Sequence, residues 1–312
     1  MNYSRAFIEN LNKDGNFIQS NFEKVVRLLD VLDFIATELD PLGGKLVLKG
    51  GTAINLIYSG LARLSVDIDL DYIGSLDKET TIRDRVFIMD ALDDYMKGDG
   101  YVVSSKSRHS VILDSRTYTY TNAVGNKDNI KVEINFIDRI HIGPTIKKHI
   151  SYFGKEVDMQ TLLEEELFGM KICALIDRSK PRDLFDVDNL KKHLKDVDTD
   201  TLRKMAVFYL SLDGIFEVDE NLFGKVATIG YDDVKKELLP VLAKNDGFDL
   251  EETKASVIAF LKGLLVLTPG ERAYLREFAK GNYDPSHLFD GDFARRAREH
   301  PMAKWRIGNI NK

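Results

Sequence analysis

The spacing of hydrophobic residues divides the chain into a mixed first part and a helical second part. Apolar positions at steps of three and four predict an amphipathic helix over 22–39 and a more charged helix over about 79–97. Alternating or short apolar runs predict strands at 45–50 and 65–73, and strands or hairpin arms within 101–138. The first part therefore combines strands with helices.

The pattern changes after the pair Gly143–Pro144, because from about residue 160 the periodicity is helical almost throughout. We therefore expect a boundary near 145–158. The expected domains are an α/β domain with an N-terminal helix over 1–150 and an all-α domain over 151–312.

Two of the predicted strands carry carboxylates on one face. In the strand at 65–73, Asp67, Asp69 and Asp71 alternate with aliphatic residues, so they share a face. Two carboxylates at this spacing can share a Mg²⁺ ion, which proteins often hold through one or two carboxylates plus substrate phosphates. A second alternating strand, 130–136, places Glu133 beside them if both strands belong to one sheet. A solvated acidic stripe is the alternative interpretation.

Two cationic or glycine-containing features could bind phosphate. The segment Lys49–Thr52 leaves a strand and opens a helix, its glycines permit close approach of a ligand, and Thr52 can cap the helix. A simple turn is the alternative, since the P-loop pattern is absent. Lys171 lies between Phe168 and Leu175 on one helical stripe, so it either snorkels or points into a cleft.

Composition and charge limit the possible classes of protein. With 44% hydrophobic residues, the chain can fill a core, and its net charge of −6 argues against general binding of polyanions. No apolar run approaches the roughly 20 residues of a membrane span, and the N-terminus lacks an apolar secretory core, so we expect a cytoplasmic protein without membrane contact. The single cysteine, Cys173, excludes an intrachain disulfide and a cysteine-based zinc site.

The C-terminal stretch is locally basic despite the acidic total, and its tryptophan could stack on a base. A solvated terminal helix is the alternative. The candidate RNA-binding residues are Arg295, Arg296, Arg298, Lys304 and Trp305.

Together these motifs carry a family resemblance. The run GGTAINLIYSGLARLSVDIDLDY resembles the signature of the DNA-polymerase-β-like nucleotidyltransferases. The form K-G-G-T-A-x-N-L followed by R-x-S-x-D-I-D-L resembles, more narrowly, the AbiEii/AbiGii toxin family, which includes the MenT toxins. The resemblance covers roughly 45–72 and 128–190, and Gly51-Thr52 stands where the broader superfamily has Gly-Ser.

The resemblance implies an α+β fold, in which a nucleotidyltransferase-type mixed sheet backed by helices is followed by an all-α C-terminal domain. It implies a metal-dependent nucleotidyltransferase of the EC 2.7.7 type that uses Mg²⁺ or Mn²⁺ and transfers a nucleoside monophosphate from an NTP, releasing pyrophosphate. In relatives the acceptor is RNA, notably the 3′ end of tRNA, and the effect is to block translation. Such proteins act as toxins paired with an antitoxin, of winged-helix or kinase type, in phage defence by abortive infection.

The resemblance also implies roles for particular residues. The metal ligands would be Asp67, Asp69 and Glu133. The nucleotide-binding residues would be Gly50, Gly51, Thr52, Arg63, Ser65 and Lys171. Lys171 would act with Asp186, for which Asp183 is a close competitor, and Ser65 matches a hydroxyl that a kinase antitoxin phosphorylates in some relatives.

Two alternative functions stay open at this point. The chain could be a nucleotidyltransferase that modifies a small molecule or a protein side chain. It could also be a catalytically silent binding module with the same fold.

Overall fold

The structure is a computed structural model that describes residues 3–310. It consists of two compact units, each built from separate stretches of the chain. The first unit comprises the residues up to Arg139, Thr145–Thr161 and Pro240–Asp246. The second unit comprises Ile140–Pro144, Leu162–Leu239 and the residues from Gly247 onward.

The first unit is built on a mixed sheet with eight strands in the described residues. Its order is β3-β5-β6-β2-β1-β8-β7, and β4 also pairs with β5. The strands are β1 (Leu46–Lys49), β2 (Asp67–Tyr72), β3 (Val102–Val103), β4 (Arg108–His109), β5 (Leu113–Thr121), β6 (Lys127–Asn135), β7 (Ile146–Tyr152) and β8 (Lys155–Thr161).

The centre of the sheet brings together the two alternating strands that the sequence predicted. β2 runs antiparallel to β1 and parallel to β6. On one face of these strands, Ile68, Leu70, Val132 and Ile134 are at most 1% exposed, while the other face carries the polar residues. The side-chain period of two therefore separates a core face from a polar face, as expected.

Helices cover the core face of this sheet. The helix α2 buries most of its length and contacts β6 and β8, which explains its apolar spacing. Asp77 caps the N-terminus of α4 by accepting a hydrogen bond from the Thr80 backbone N–H. The helices of this unit are α1 (Arg5–Leu11), α2 (Gln19–Phe34), α3 (Gly50–Ala53) and α4 (Lys78–Gly98), with π-helical turns at Ile35–Leu39 and Ile54–Tyr58.

The sheet continues beyond the boundary expected at residue 150, which falls inside β7. The β7–β8 hairpin extends the sheet through the parallel pairing of Leu48 with Thr161. Its turn places Phe153 and Gly154 at positive φ, 58° and 74°. The many charged residues of this hairpin weaken the apolar alternation, so the sequence pattern did not single it out. The segment 240–246 also returns to the first unit, where Val241 accepts a hydrogen bond from the Leu64 backbone N–H.

The second unit is helical in its described residues, as the periodicity predicted. Helices α5 and α7 approach closely at Gly169, where a Cβ would lie 2.7 Å from the Met205 Cβ atom. The α-helices are α5 (Glu164–Arg178), α6 (Pro181–His193), α7 (Thr199–Leu212), α8 (Gly224–Ala227), α9 (Tyr231–Asp233), α10 (Leu250–Leu264), α11 (Pro269–Phe278), α12 (Gly291–Glu299) and α13 (Pro301–Ile310). Shorter turns are the π-helical Val234–Leu238 and the 3-10 segments Leu194–Asp196, Glu220–Phe223 and Pro285–His287, and a further 3-10 segment, Leu239–Val241, leads back into the first unit.

In the part of the chain that the structure describes, no single helix is long and apolar enough to cross a membrane. The pair α10 and α11 reaches the required length and hydropathy only jointly, and it is bent by 94° at its break.

Candidate active site

The carboxylates predicted from the sequence lie on the polar face of two adjacent strands. Asp67 and Asp69 alternate along β2, and Asp69 is in register with Glu133 on the parallel strand β6. Neighbouring strands lie about 4.8 Å apart. All three residues are half-buried rather than enclosed. The sheet therefore collects the three carboxylates on one face.

Glu133 is held by a neighbouring lysine in this arrangement. The Lys131 Nζ atom donates to Glu133 Oε2 at 2.6 Å, from two residues earlier on the same strand. Within residues 3–310, no group of three or more Asp, Glu, His or Cys side chains is placed to hold a metal ion. Two aspartates on one face nevertheless fit a hard cation that completes its coordination with substrate phosphates.

Asp71, the third aspartate of β2, is buried. It is 0% exposed, and its Oδ1 atom lies 2.5 Å from the Lys49 Nζ atom. Burial alone would lower the pKa of Lys49, but the carboxylates of Asp71, Asp138 and Asp69 raise it above its usual value. The accessible part of the acidic stripe therefore ends at Asp69.

The glycine pair follows β1 and packs directly against these residues. Gly50 has a φ of 67°, and a Cβ atom there would overlap the Asp69 carboxylate. A Cβ atom at Gly51 would lie 2.6 Å from an Arg63 guanidinium nitrogen and 3.1 Å from Ser65 Oγ. Only glycine lets the backbone pass this close, so the two glycines are required by packing at the carboxylate face.

Thr52 does not cap the helix, contrary to the expectation from sequence. The helix α3 begins at Gly50, so Thr52 lies inside it, 0% exposed. Its hydroxyl donates to the backbone carbonyl of Asp67 and lies 3.0 Å from Ser65 Oγ. Thr52 thus ties the glycine segment to the strand that carries the aspartates.

Arg63 lies beneath the glycine segment and is only 2% exposed. Its guanidinium donates to the Leu64 carbonyl at 2.9 Å, and its backbone N–H donates to the Asn55 side chain at 3.2 Å. In this arrangement Arg63 supports the segment from below.

The second unit contains a buried charge cluster around Lys171. Lys171 is 7% exposed, and its Nζ atom lies 2.8 Å from Asp183 Oδ1 and 3.1 Å from Asp186 Oδ2. The two aspartates are three residues apart on α6 and so share a face. The sequence left open which of them pairs with Lys171, and the structure pairs it with both.

Arg178 completes this cluster. Its Nε atom donates to Asp183 Oδ2 at 2.7 Å, and its Nη2 atom donates to Asp183 Oδ1 at 3.0 Å. Burial would raise the pKa of Asp183, but Lys171 and Arg178 hold it below its usual value. Sequence reasoning missed Arg178, although its position seven residues after Lys171 places it on the same face of α5.

The basic side chains of the predicted C-terminal RNA-binding stretch mostly form ion pairs with nearby carboxylates. Arg295 and Arg296 both pair with Asp292, and Lys304 pairs with Glu299 at 2.7 Å. Arg298 lies 3.8 Å from Asp284. The tryptophan, Trp305, is 51% exposed and is stacked by the Arg306 guanidinium.

The family model and the similar solved structures both point to nucleotidyltransferases. The family model "Nucleotidyl transferase AbiEii toxin, Type IV TA system" matches residues 33–269. The fold is similar to MenT4, a nucleotidyltransferase toxin from Mycobacterium tuberculosis H37Rv, with 15% identity, a TM-score of 0.65 and 99% coverage of both chains. It is also similar to an H. pylori protein assigned as a nucleotidyltransferase, with 21% identity, a TM-score of 0.50, and coverage of 80% of this chain and 96% of that one.

Among curated proteins, no sequence matches the chain. The family match spans well over half of the chain and includes the glycine segment, the aspartates of β2, Glu133 and the Lys171 cluster. The chain therefore belongs to the AbiEii family of nucleotidyltransferase toxins, whose members form type IV toxin–antitoxin systems.

Proposed function

We propose that the chain transfers a nucleoside monophosphate from an NTP to RNA, with the 3′ end of tRNA as the expected acceptor, and thereby blocks translation. One observation carries this proposal. Asp67 and Asp69 share an accessible face, and the Gly50–Gly51 backbone packs against it.

Asp67 and Asp69 are the residues that would hold Mg²⁺ or Mn²⁺. When bound, the ion would supply charge neutralisation for the triphosphate and the leaving pyrophosphate. Glu133 is the proposed third ligand, or the acceptor of the proton from the attacking hydroxyl. Lys131 donates to Glu133 Oε2 at 2.6 Å, so it competes with either role at that oxygen.

The glycine segment is proposed to bind the triphosphate through its backbone. Gly50 and Gly51 carry no side chain above the backbone, and the Thr52 and Ser65 hydroxyls lie 3.0 Å apart beside them. Arg63 would act from beneath by supporting this backbone. Ser65 is half-buried in the same group, so modification of its hydroxyl by a kinase-type antitoxin would place charge at the nucleotide segment.

Lys171 is proposed to contribute positive charge to the triphosphate, as the resemblance implies. Within its own unit it is fixed between Asp183 and Asp186. Such fixed geometry suits a preorganised charge, which helps most where water is excluded. A purely structural ion pair is the alternative, and the two differ in how activity and stability respond to substitution.

The test is transfer of label from each of the four NTPs to total tRNA or to a protein extract, with Mg²⁺, Mn²⁺ or EDTA. We expect label at the tRNA 3′ end, loss of transfer with EDTA, and loss of transfer in Asp67→Asn. The matched control is Asp94→Asn, because Asp94 is an exposed aspartate of the same unit.

Each other outcome points to a different function. Label in protein would identify a protein acceptor, and label in neither fraction would favour a small-molecule acceptor or a silent binding module. Transfer that persists in EDTA would contradict metal dependence.

The basic tail is proposed to contact RNA phosphates, and its test is separate. Replacing Arg295, Arg296 and Arg298 with Glu should weaken tRNA binding and lower the slope of its salt dependence by roughly one for each lost phosphate contact. NTP binding should not change. Unchanged tRNA affinity at low salt would mean that these arginines serve only their local ion pairs.

A further inference from the structure

The first unit exposes a second surface, on the face of the sheet opposite to the aspartates. Here α4 and the loop at 110–112 border a cleft of about 840 Å³. Ser115 is in register with Glu133, and its neighbours Asp114 and Arg116 line the cleft from the other face of β5. We call this surface the α4 groove; its apolar lining is Ile82, Val86, Met89, Val111, Ile112 and Phe136.

Several apolar side chains of the α4 groove are exposed to solvent. Val111 is 90% exposed, Val86 is 56% exposed and Ile82 is 51% exposed. Contiguous exposed apolar surface of this kind marks interaction sites in soluble proteins. Scattered single residues would need no explanation, but these side chains line one cleft.

The backbone that presents these residues is held in place. Arg85 on α4 donates to the carbonyls of Ser110 and Val111 and to the Asp114 carboxylate. The Ile112 carbonyl accepts from the Phe136 backbone N–H at 2.8 Å. Because the loop is tied at three positions, its apolar side chains are preorganised, which lowers the entropic cost of binding a partner.

The charges at the two ends of the α4 groove differ. At one end, Lys78 and Arg139 contact no carboxylate among residues 3–310, and Arg139 donates only to the Leu76 carbonyl and the Thr81 hydroxyl. At the other end lies Asp90. Twelve residues of helix separate Lys78 from Asp90, about 18 Å at 1.5 Å per residue.

The remaining cations of the groove are already neutralised. Arg85 pairs with Asp114 at 2.5 Å, and Arg116 pairs with Asp93 at 3.3 Å. The groove thus offers positive charge at one end only, followed by an aliphatic floor. RNA fits this pattern poorly, because it needs positive charge along its backbone and flat rings for its bases.

We propose that the α4 groove binds a segment of a partner protein that carries carboxylates at one end and apolar side chains along the rest. The partner residues would be spaced as on an amphipathic helix, since Ile82, Val86 and Met89 follow each other at steps of four and three along α4. The carboxylate end would lie at Lys78 and Arg139. This binding does not depend on the transfer chemistry, since the groove lies on the other face of the sheet.

The test is selection from a random library of displayed 16-residue peptides on the full-length protein. Enriched peptides should combine a cluster of Asp or Glu at one end with apolar residues at steps of three and four. One enriched peptide is then synthesised with a fluorophore and titrated by anisotropy. We expect Val86→Asp to weaken its binding at least tenfold, and Lys78→Glu to weaken it with a reduced salt dependence. Transfer activity should be unchanged in both.

The matched control is Val124→Asp, at another exposed valine of the same unit, 45% exposed. If Val86→Asp fails to fold by circular dichroism, Val111→Ser replaces it, since that side chain is 90% exposed. No enrichment, enrichment of basic peptides, or equal binding by Val86→Asp would overturn the proposal. So would a dimer in light scattering that Val86→Asp dissociates, or a loss of tRNA binding in Val86→Asp, because these identify a second copy or RNA as the occupant.

Discussion

The carboxylate face of β2 and β6 and the Lys171 cluster of α5 and α6 contain similar residues in different environments. Asp67, Asp69 and Glu133 lie half-buried on one sheet face, where adjacent carboxylates repel one another. In the cluster, two nearly fully buried aspartates are matched by two cations, Lys171 and Arg178. The first arrangement is a half-buried face with several carboxylates, whereas in the second the buried aspartates form ion pairs with cations of the same unit.

The two regions should therefore affect the stability of the folded chain in different ways. Neutralising one of several carboxylates that share a half-buried face relieves their mutual repulsion, so this change should not lower stability. Buried and balanced pairs behave in the opposite way, because removal of one partner leaves a charge in an apolar site. Substitutions can therefore distinguish a ligand site from a structural ion pair.

The largest effect is expected from Asp69→Asn. Loss of one charge of the proposed metal pair should reduce nucleotide transfer by a factor of about 10³, since a metal-assisted site loses its main charge stabilisation. The melting temperature should stay the same or rise. Labelled-NTP transfer and differential scanning calorimetry measure the two quantities. Normal turnover would remove Asp69 from the metal site, and a large fall in melting temperature would give it a structural role.

Lys171→Met should affect both activity and stability. From sequence alone, the Lys171→Met variant is expected to fold well, because methionine keeps an apolar side chain and loses only the charge. The structure changes this expectation. Asp183 would keep Arg178 and Asp186 would lose its ion pair with Lys171, so the cost in unfolding free energy should be about 3–5 kcal/mol. Chemical denaturation measures this cost.

The double variant Lys171→Met/Asp186→Asn also removes the negative charge of Asp186, and it should recover part of this stability. If Lys171 serves the triphosphate, transfer should stay about 10²–10³-fold reduced in the recovered protein. Transfer that returns together with stability would make the cluster purely structural.

The pH dependence of stability should report on the same cluster. The folded-state pKa of Asp183 lies below its unfolded value near 4, so the unfolded chain takes up the proton first. The stabilisation by ionised Asp183 is thus present above about pH 4 and is lost as the pH falls through the folded pKa. Melting temperatures from pH 6 to pH 3 should fall less steeply in Asp183→Asn than in the parent chain. Equal slopes would show that other carboxylates dominate acid unfolding.

The smallest effect is expected from Lys131→Gln on the carboxylate face. This change frees Glu133 from a partly exposed ion pair, which contributes about 1 kcal/mol or less to stability. Affinity for Mn²⁺, measured by electron paramagnetic resonance, should rise a few-fold if Glu133 is a ligand. The control is Lys127→Gln at the exposed start of the same strand. Unchanged Mn²⁺ affinity would show that the Lys131 ion pair does not compete with metal binding at Glu133.

The sequence by itself determined the elements in which apolar and polar residues alternate with a regular period. Strict alternation placed Asp67, Asp69 and Glu133 opposite a buried aliphatic face, because a strand repeats every two residues. The helical second unit followed from steps of three and four in the same way. The glycine pair was recognisable because glycine adopts a positive φ more readily than other residues, and Gly50 has a φ of 67°.

Only the tertiary structure decided which charges meet. Strand register brings Asp71 against Lys49 and sets the ion pair between Lys131 and Glu133. Helix packing places Lys171 between two aspartates. The β7–β8 hairpin joined the sheet through a single long-range pairing beside β1, despite its weak apolar pattern. Side-chain periodicity is a local property of the chain, whereas these contacts connect positions that only the packed sheet and helices bring within reach.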